Sequence, residues 1–250
     1  MLSEIENGRY VPNAMILLAL SKRLGISLDE LSLASDYAVG SSQALNERMA
    51  VLCRNHEYRK LLRFLESRTV VDAVGTPAQT QSYFYYLGIA HYQTHQGVHV
   101  ARQAFDMSLA SSPVKRHTDA LSRLTASAIS VMEAAEGRAT SARDVARTAT
   151  AGLDSMPFEE NANVIVYLHA YVEYLLGDML SAAGLASEAI GFITRHDSHY
   201  MLANCYALAA QIALVMHDDA DAEQSRHNAE FLAGLFGEKV YRDFEPPQTV

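Results

Sequence analysis

Residues 84–113 run FYYLGIAHYQTHQGVHVARQAFDMSLASSP. Apolar and small side chains (Phe84, Leu87 and Gly88, then Ala101, Phe105 and Ser108) recur at helical steps on either side of Gly97, and Pro113 closes the second run. That pattern predicts two amphipathic helices joined by a glycine turn. Working outward, Ala101 is followed by Ala142, Ala182 and Ala222, at intervals of 41, 40 and 40 residues. Each has a second small residue seven positions on: Ser108, Ala149, Ala189 and Ala229. Seven residues are two helical turns, so the members of each pair share a face that a neighbouring helix can approach closely. A period of this length predicts stacked helical hairpins.

The same periodicity extends along the chain. Breaks fall at Gly8–Pro12, Gly25–Ser27, Ala38–Ser42, Asn55, Val74–Pro77, Gly97, Ser111–Pro113, Gly137, Met156–Pro157, Gly177, His196–Ser198, His217–Asp219 and Gly237. Ten to twelve helices are expected, with no strand-like alternation, so the chain reads as all-α. With 250 residues, 49% of them hydrophobic, the chain is long enough for a substantial core and too apolar for disorder. Cys53 and Cys205, the only cysteines, do not make a disulfide framework. Neither a membrane-spanning run nor a signal-peptide pattern is visible, so a cytoplasmic protein is expected, without a membrane partner.

The net charge of −9 excludes diffuse electrostatic binding of nucleic acid, and any DNA contact has to be confined to one small element. A Gly-rich phosphate loop and a Gly-x-Ser-x-Gly elbow are both missing, and nothing argues for catalysis or a cofactor. His91, His95 and His99 would share a face on one unbroken helix, but Gly97 interrupts it and no carboxylate or cysteine joins them, so no metal site is expected. The acidic group Asp218, Asp219, Asp221 and Glu223 reads as a solvated helix N-terminus, and Cys205 as a small core residue.

The row Phe84, Leu87, Gly88, Ala101, Phe105, Pro113 resembles the tetratricopeptide repeat, with one residue inserted in the turn. The resemblance implies a right-handed solenoid of helical hairpins over residues 36–250, with lengthened and degenerate repeats. Residues 2–31 carry a second resemblance. Ser3-Glu4-Ile5-Glu6-Asn7-Gly8 precedes a turn with Pro12, a helix with the stripe Ile16, Leu17, Leu20 and Leu24, and then Leu24-Gly25-Ile26-Ser27-Leu28-Asp29-Glu30-Leu31. Ser27 and Glu30 make a capping box. This run is similar to the second half of a lambda-repressor-like (XRE-type) helix-turn-helix domain, and residues 1–35 are expected to be that half. In such domains the recognition helix enters the major groove. Two helices and the start of the recognition helix would precede Met1 in the family pattern, which leaves Ser3, Asn7 and Arg9 as the DNA-side remnant.

A helix-turn-helix head followed by tetratricopeptide-like repeats resembles the peptide-pheromone regulators of the Rgg/PlcR/PrgX/ComR group. The resemblance implies a transcriptional regulator whose repeats bind a short signalling peptide, dimerise, and control how the head meets DNA. The first helix of each hairpin would line the inner side of the solenoid. There Tyr85, Ile89 and Tyr92 share a face, as do Tyr167, Tyr171 and Tyr174, and the same register in the last repeat gives Asn204 and Gln211. Tyrosine offers rigid apolar area with a hydroxyl, and Asn or Gln both donates to and accepts from an extended backbone. The tyrosines either line a peptide groove or fill the space between helices; the sequence leaves both open. The last helix keeps an apolar set, Ala229, Phe231, Leu232, Leu235 and Phe236, that asks for a cap or a second copy, so a homodimer is expected. A protein–protein adaptor without DNA binding is the other reading.

Overall fold

The computed structural model describes residues 37–95, 97–113, 119–241 and 244–248, together with Ile16, Leu20 and Arg23. Those last three are helical, in the stretch where the sequence places the helix after Pro12. The DNA-side remnant Ser3, Asn7 and Arg9 lies outside the described residues. Among the described residues every regular element is helical: α1 (Gln43–Arg54), α2 (Tyr58–Leu65), α3 (Arg68–Val71), α4 (Pro77–Gln93), α5 (Val98–Ala110), α6 (Ala120–Ala135), α7 (Ala139–Thr150), α8 (Asn161–Leu175), α9 (Met179–Arg195), α10 (Leu202–Val215) and α11 (Asp219–Phe236), with a 3-10 turn at Leu153–Ser155. None of these helices is long and apolar enough to cross a membrane.

The helices start where local chemistry satisfies their free amides. Pro77 opens α4, where Thr76 Oγ1 accepts from Gln79 N at 3.2 Å and Gln79 Oε1 accepts from Thr76 N at 3.1 Å, a reciprocal capping box. Asp119, Asp178 and Asp218 each accept the amide three residues on, at the N-termini of α6, α9 and α11. The acidic group at Asp218 is therefore a helix N-terminus, as its composition predicts. One break was not foreseen: the segment after Asn55 splits into α2 and α3 because Ser67 turns extended and its hydroxyl donates to Phe64 O at 2.6 Å.

Helices α4 and α5, α6 and α7, α8 and α9, and α10 and α11 pack as consecutive hairpins, with α6 also lying against α8. All eight small residues of the 40-residue pattern are buried. Within the first hairpin α4 meets α5 closely at Gly88, where a Cβ would stand 2.5 Å from Cε1 of the buried Phe105 ring. Left-handed backbone recurs with the same period at the hairpin turns: Gly137 and Gly177 have φ of 75° and 81°, and His217 takes the third such place at 60°. After each, the next amide reaches back to the last turn of the first helix, from Arg138 to Glu133 O, Asp178 to Glu173 O and Asp218 to Ala213 O, all at about 3 Å. His95 (φ 54°) and Gly97 (φ 118°) end the first helix of the first hairpin, so His91, His95 and His99 do not share one helix.

Two ion pairs tie successive hairpins. Glu133 of α6 takes Arg102 of α5 and Arg138, and Glu173 of α8 takes Arg143 of α7 with three hydrogen bonds of 2.7–3.0 Å. Both glutamates are buried. The core runs in two clusters, one over α1–α6 that reaches Ala149 of α7 and Ile165 of α8, and one over α6–α10, with Tyr92, Leu153 and Val164 packed against both. Cys205 belongs to the second and is buried as expected, and burial pushes its thiol up.

Candidate functional site

Helices α4, α8 and α10 carry the seven residues singled out from the sequence; the structure groups six of them, while Tyr85 packs against the Phe105 ring of α5. Tyr167, Tyr171 and Tyr174 stack in a row along α8, with ring centroids 6.3 and 5.9 Å apart and planes within 14°. Gln211 Nε2 donates to Tyr174 OH at 3.4 Å, which joins α10 to that row. Tyr92 on α4 faces the same row, and Asn204 stands at the start of α10. Stacking one aromatic per turn keeps each ring's face against the next and its hydroxyl at the edge.

This surface is covered. After α11 ends at Gly237, in the left-handed region at φ 66°, the chain turns back and residues 238–241 and 244–248 run over the tyrosines without regular structure. Glu238 Oε1 accepts from Asn204 Nδ2 at 2.7 Å and from Met201 N at 2.9 Å. Asn204 Oδ1 in turn accepts the Tyr241 amide at 2.9 Å, so one buried amide side chain grips the segment through both its donor and its acceptor. The Tyr241 ring stacks on His56 at 4.2 Å, and its hydroxyl meets Tyr58 OH at 2.7 Å. Lys239 Nζ donates to Asn55 O at 2.5 Å.

Three residues on, Phe244 packs its ring against both Tyr171 and Tyr174, each centroid 6.1 Å away and tilted by 58° and 68°. Tyr92 OH donates to Glu245 Oε1 at 3.2 Å, and the Glu245 amide donates to Tyr171 OH at 3.4 Å. The segment ends on two helix C-termini, where the last carbonyls have no partner within their own helix. Gln248 N donates to Leu175 O of α8 at 2.8 Å, and Gln248 Nε2 to Ala135 O of α6 at 3.0 Å.

The track beneath the segment is partly buried and lined by neutral groups. Burial pushes the hydroxyls of Tyr85, Tyr86, Tyr167, Tyr200 and Tyr241 above the ordinary phenol range, so all stay protonated. Tyr92 and Tyr171 are pushed up by burial and then by the Glu245 carboxylate, which fixes them as neutral groups. Burial first, and then Lys239, lower His56 to about 4, leaving a neutral imidazole under the Tyr241 ring. Burial raises the Glu238 carboxyl, against the opposing pull of Asn204 and the Met201 amide. The arrangement can hold an extended backbone, two aromatic rings and carboxylates. No group of three or more His, Cys, Asp or Glu able to hold a metal is present among the described residues.

Tyr85, Tyr167, Tyr174 and Asn204 are buried, while Tyr92, Tyr171 and Gln211 are half-buried. Burial of the first group reflects both helix packing and the covering segment. Sequence reasoning missed His56 and Tyr58, which form the floor under Tyr241. They lie in loops or at a helix start, where no periodicity marks a face.

No family model matches the chain, and no curated protein is similar to it. Among solved structures the chain is similar to the crystal structure of Bacillus thuringiensis PlcR in complex with the peptide PapR7 and DNA. The identity is 16%, the TM-score 0.66, and the alignment covers 94% of this chain and 85% of that one. At this identity the likeness is one of fold.

Proposed function

We propose that the chain is a peptide-responsive transcriptional regulator of the cytoplasm. Its helical hairpins take a short extended peptide across α4, α8 and α10, and its N-terminal segment, residues 1–35, belongs to the part that meets DNA. The observation that carries this reading is the surface itself. Asn204, Tyr92, Tyr171 and Tyr174 already hold a segment of the chain through backbone amides, a carboxylate and an aromatic ring, the way a peptide is held. Support comes from the fold shared with PlcR, whose structure contains a peptide and DNA, and from the helix-turn-helix resemblance of residues 2–31.

The regulator works as a homodimer in this reading. On α11, Phe231 and Leu235 leave 62% and 61% of their surface exposed, a face suited to a second copy. The same face favours the second reading, an adaptor that binds proteins and no DNA. A mobility-shift assay on the protein purified from its own cell, with a fragment carrying its own promoter, separates the two. The regulator reading expects a shift that changes when a peptide fraction of the culture medium is added. A protein that shifts no DNA yet captures a partner protein would overturn it and leave the adaptor.

A further inference from the structure

The segment over the tyrosines is part of the chain, so the surface proposed to take a free peptide is already filled. We infer that residues 238–241 and 244–248 are a tethered occupant of that groove, and that the diffusible ligand is an acidic, aromatic peptide that displaces them; this rests on the peptide-groove reading above.

The ligand class follows from what each position of the segment meets. Tyr241 and Phe244 set two aromatic sites three residues apart, one floored by His56 and Tyr58 and one by Tyr171 and Tyr174. Glu238 and Glu245 set carboxylate sites before the first ring and directly after the second, served by Asn204 and the Met201 amide, and by Tyr92. Every donor on this track is a neutral amide, phenol or backbone group. The specificity is therefore one of shape and hydrogen bonding rather than of countercharge.

Several features mark the segment as an occupant rather than as core. It has no regular structure, and most of its bonds go to side chains or to carbonyls at helix ends rather than into a helix or ladder. It leaves the body at Gly237, whose left-handed conformation turns the chain back from α11. The buried residues of both core clusters come from the body beneath, with Phe244 packed against the second of them from outside. A tether makes docking of the segment intramolecular, so a free competitor is weakened by the ratio of the segment's effective concentration to its own dissociation constant.

The test uses the full chain, as wild type and as Tyr241→Ala/Phe244→Ala. A fluorescein-labelled peptide copying residues 237–248 is titrated into each and followed by anisotropy. The expected result is binding to the double variant at least tenfold tighter than to wild type, with no binding of a peptide that carries alanine at both ring positions. Equal binding to both proteins, no binding to a variant whose helical circular dichroism matches wild type, or a variant that loses its helices would each overturn the proposal. The promoter-shift assay reads the regulator proposal separately. A chain that takes the peptide only when its own segment is unseated, yet shifts no DNA, keeps this inference and loses that one. A chain that shifts DNA and never takes the peptide does the reverse.

Discussion

Replacing Asn204 with alanine removes both hydrogen bonds by which α10 grips the C-terminal segment. One, at 2.7 Å, goes to a carboxylate oxygen of Glu238, and the other, at 2.9 Å, comes from the Tyr241 amide. A neutral hydrogen bond contributes about 1 kcal/mol and one to a charged group about 2 kcal/mol, so the docked segment loses about 3 kcal/mol. At about 1.4 kcal/mol per factor of ten, the population of the undocked state rises roughly a hundredfold. Native-state hydrogen exchange reads this directly, because the Tyr241 and Gln248 amides are both hydrogen-bonded only while the segment is seated. The Gln248 amide, which Asn204 does not touch, should exchange about a hundredfold faster in Asn204→Ala, given the same 1.4 kcal/mol per decade, while the amides in the middle of α8 and α10 keep their protection. Unchanged exchange at Gln248 would refute the grip. Equal acceleration in α8 and α10 would show that Asn204 supports the core and not the segment.

Gly88→Ala should destabilise the chain by about 1–2 kcal/mol, because a Cβ 2.5 Å from the buried Phe105 ring forces overpacking that outweighs the gain in helix propensity; the urea midpoint should fall at unchanged slope, and Phe105→Leu should restore part of it. His217→Gly should stabilise by about 1 kcal/mol, since a left-handed φ of 60° strains a side chain that Gly137 and Gly177 avoid at the two preceding hairpin turns; a lower melting temperature would contradict this. The Glu133 carboxyl is held down to about 2, from an ordinary 4.5, chiefly by Arg138 and then by Arg102. A lowered folded-state pKa means that its contribution, up to about 3 kcal/mol, is complete above pH 4.5 and is lost as pH falls through that value toward 2. Glu133→Gln should flatten the acid limb of the stability curve in that window, and a limb as steep as in wild type would count against the pair.

The hairpin stack was legible because its signal is local and repeated. Ala101, Ala142, Ala182 and Ala222, with the small residues seven positions on, mark faces where two helices touch, and close packing tolerates nothing larger there. The turn register was half-visible, since a histidine stands at 217 where the pattern has glycine at 137 and 177. The ion pairs of Glu133 and Glu173 were not legible. A buried glutamate in a helix looks like an exposed one until its arginine is found, 31 residues before it for Glu133 and 30 for Glu173. Tyr85 on α4 packs against Phe105, but the row Tyr167, Tyr171 and Tyr174 could be placed on one face from helical spacing alone. The segment that covers them could not, because it has no period and its partners lie up to 184 positions away.

Stacks of helical hairpins ordinarily behave as ladders in which each rung feels only its neighbours, so they can fray from either end. The contact between Tyr241 and Tyr58, 183 residues apart, fastens one end to the other. It couples rungs that share no interface, so losing the first hairpins also loosens the last. It also sets an order of events. The fastening belongs to the last stretch of this chain, and its floor is assembled from α4, α6, α8, α10 and the turn before α2. It can close only after every rung beneath it is in place, which makes the final contacts of the chain a check on the completeness of all the others.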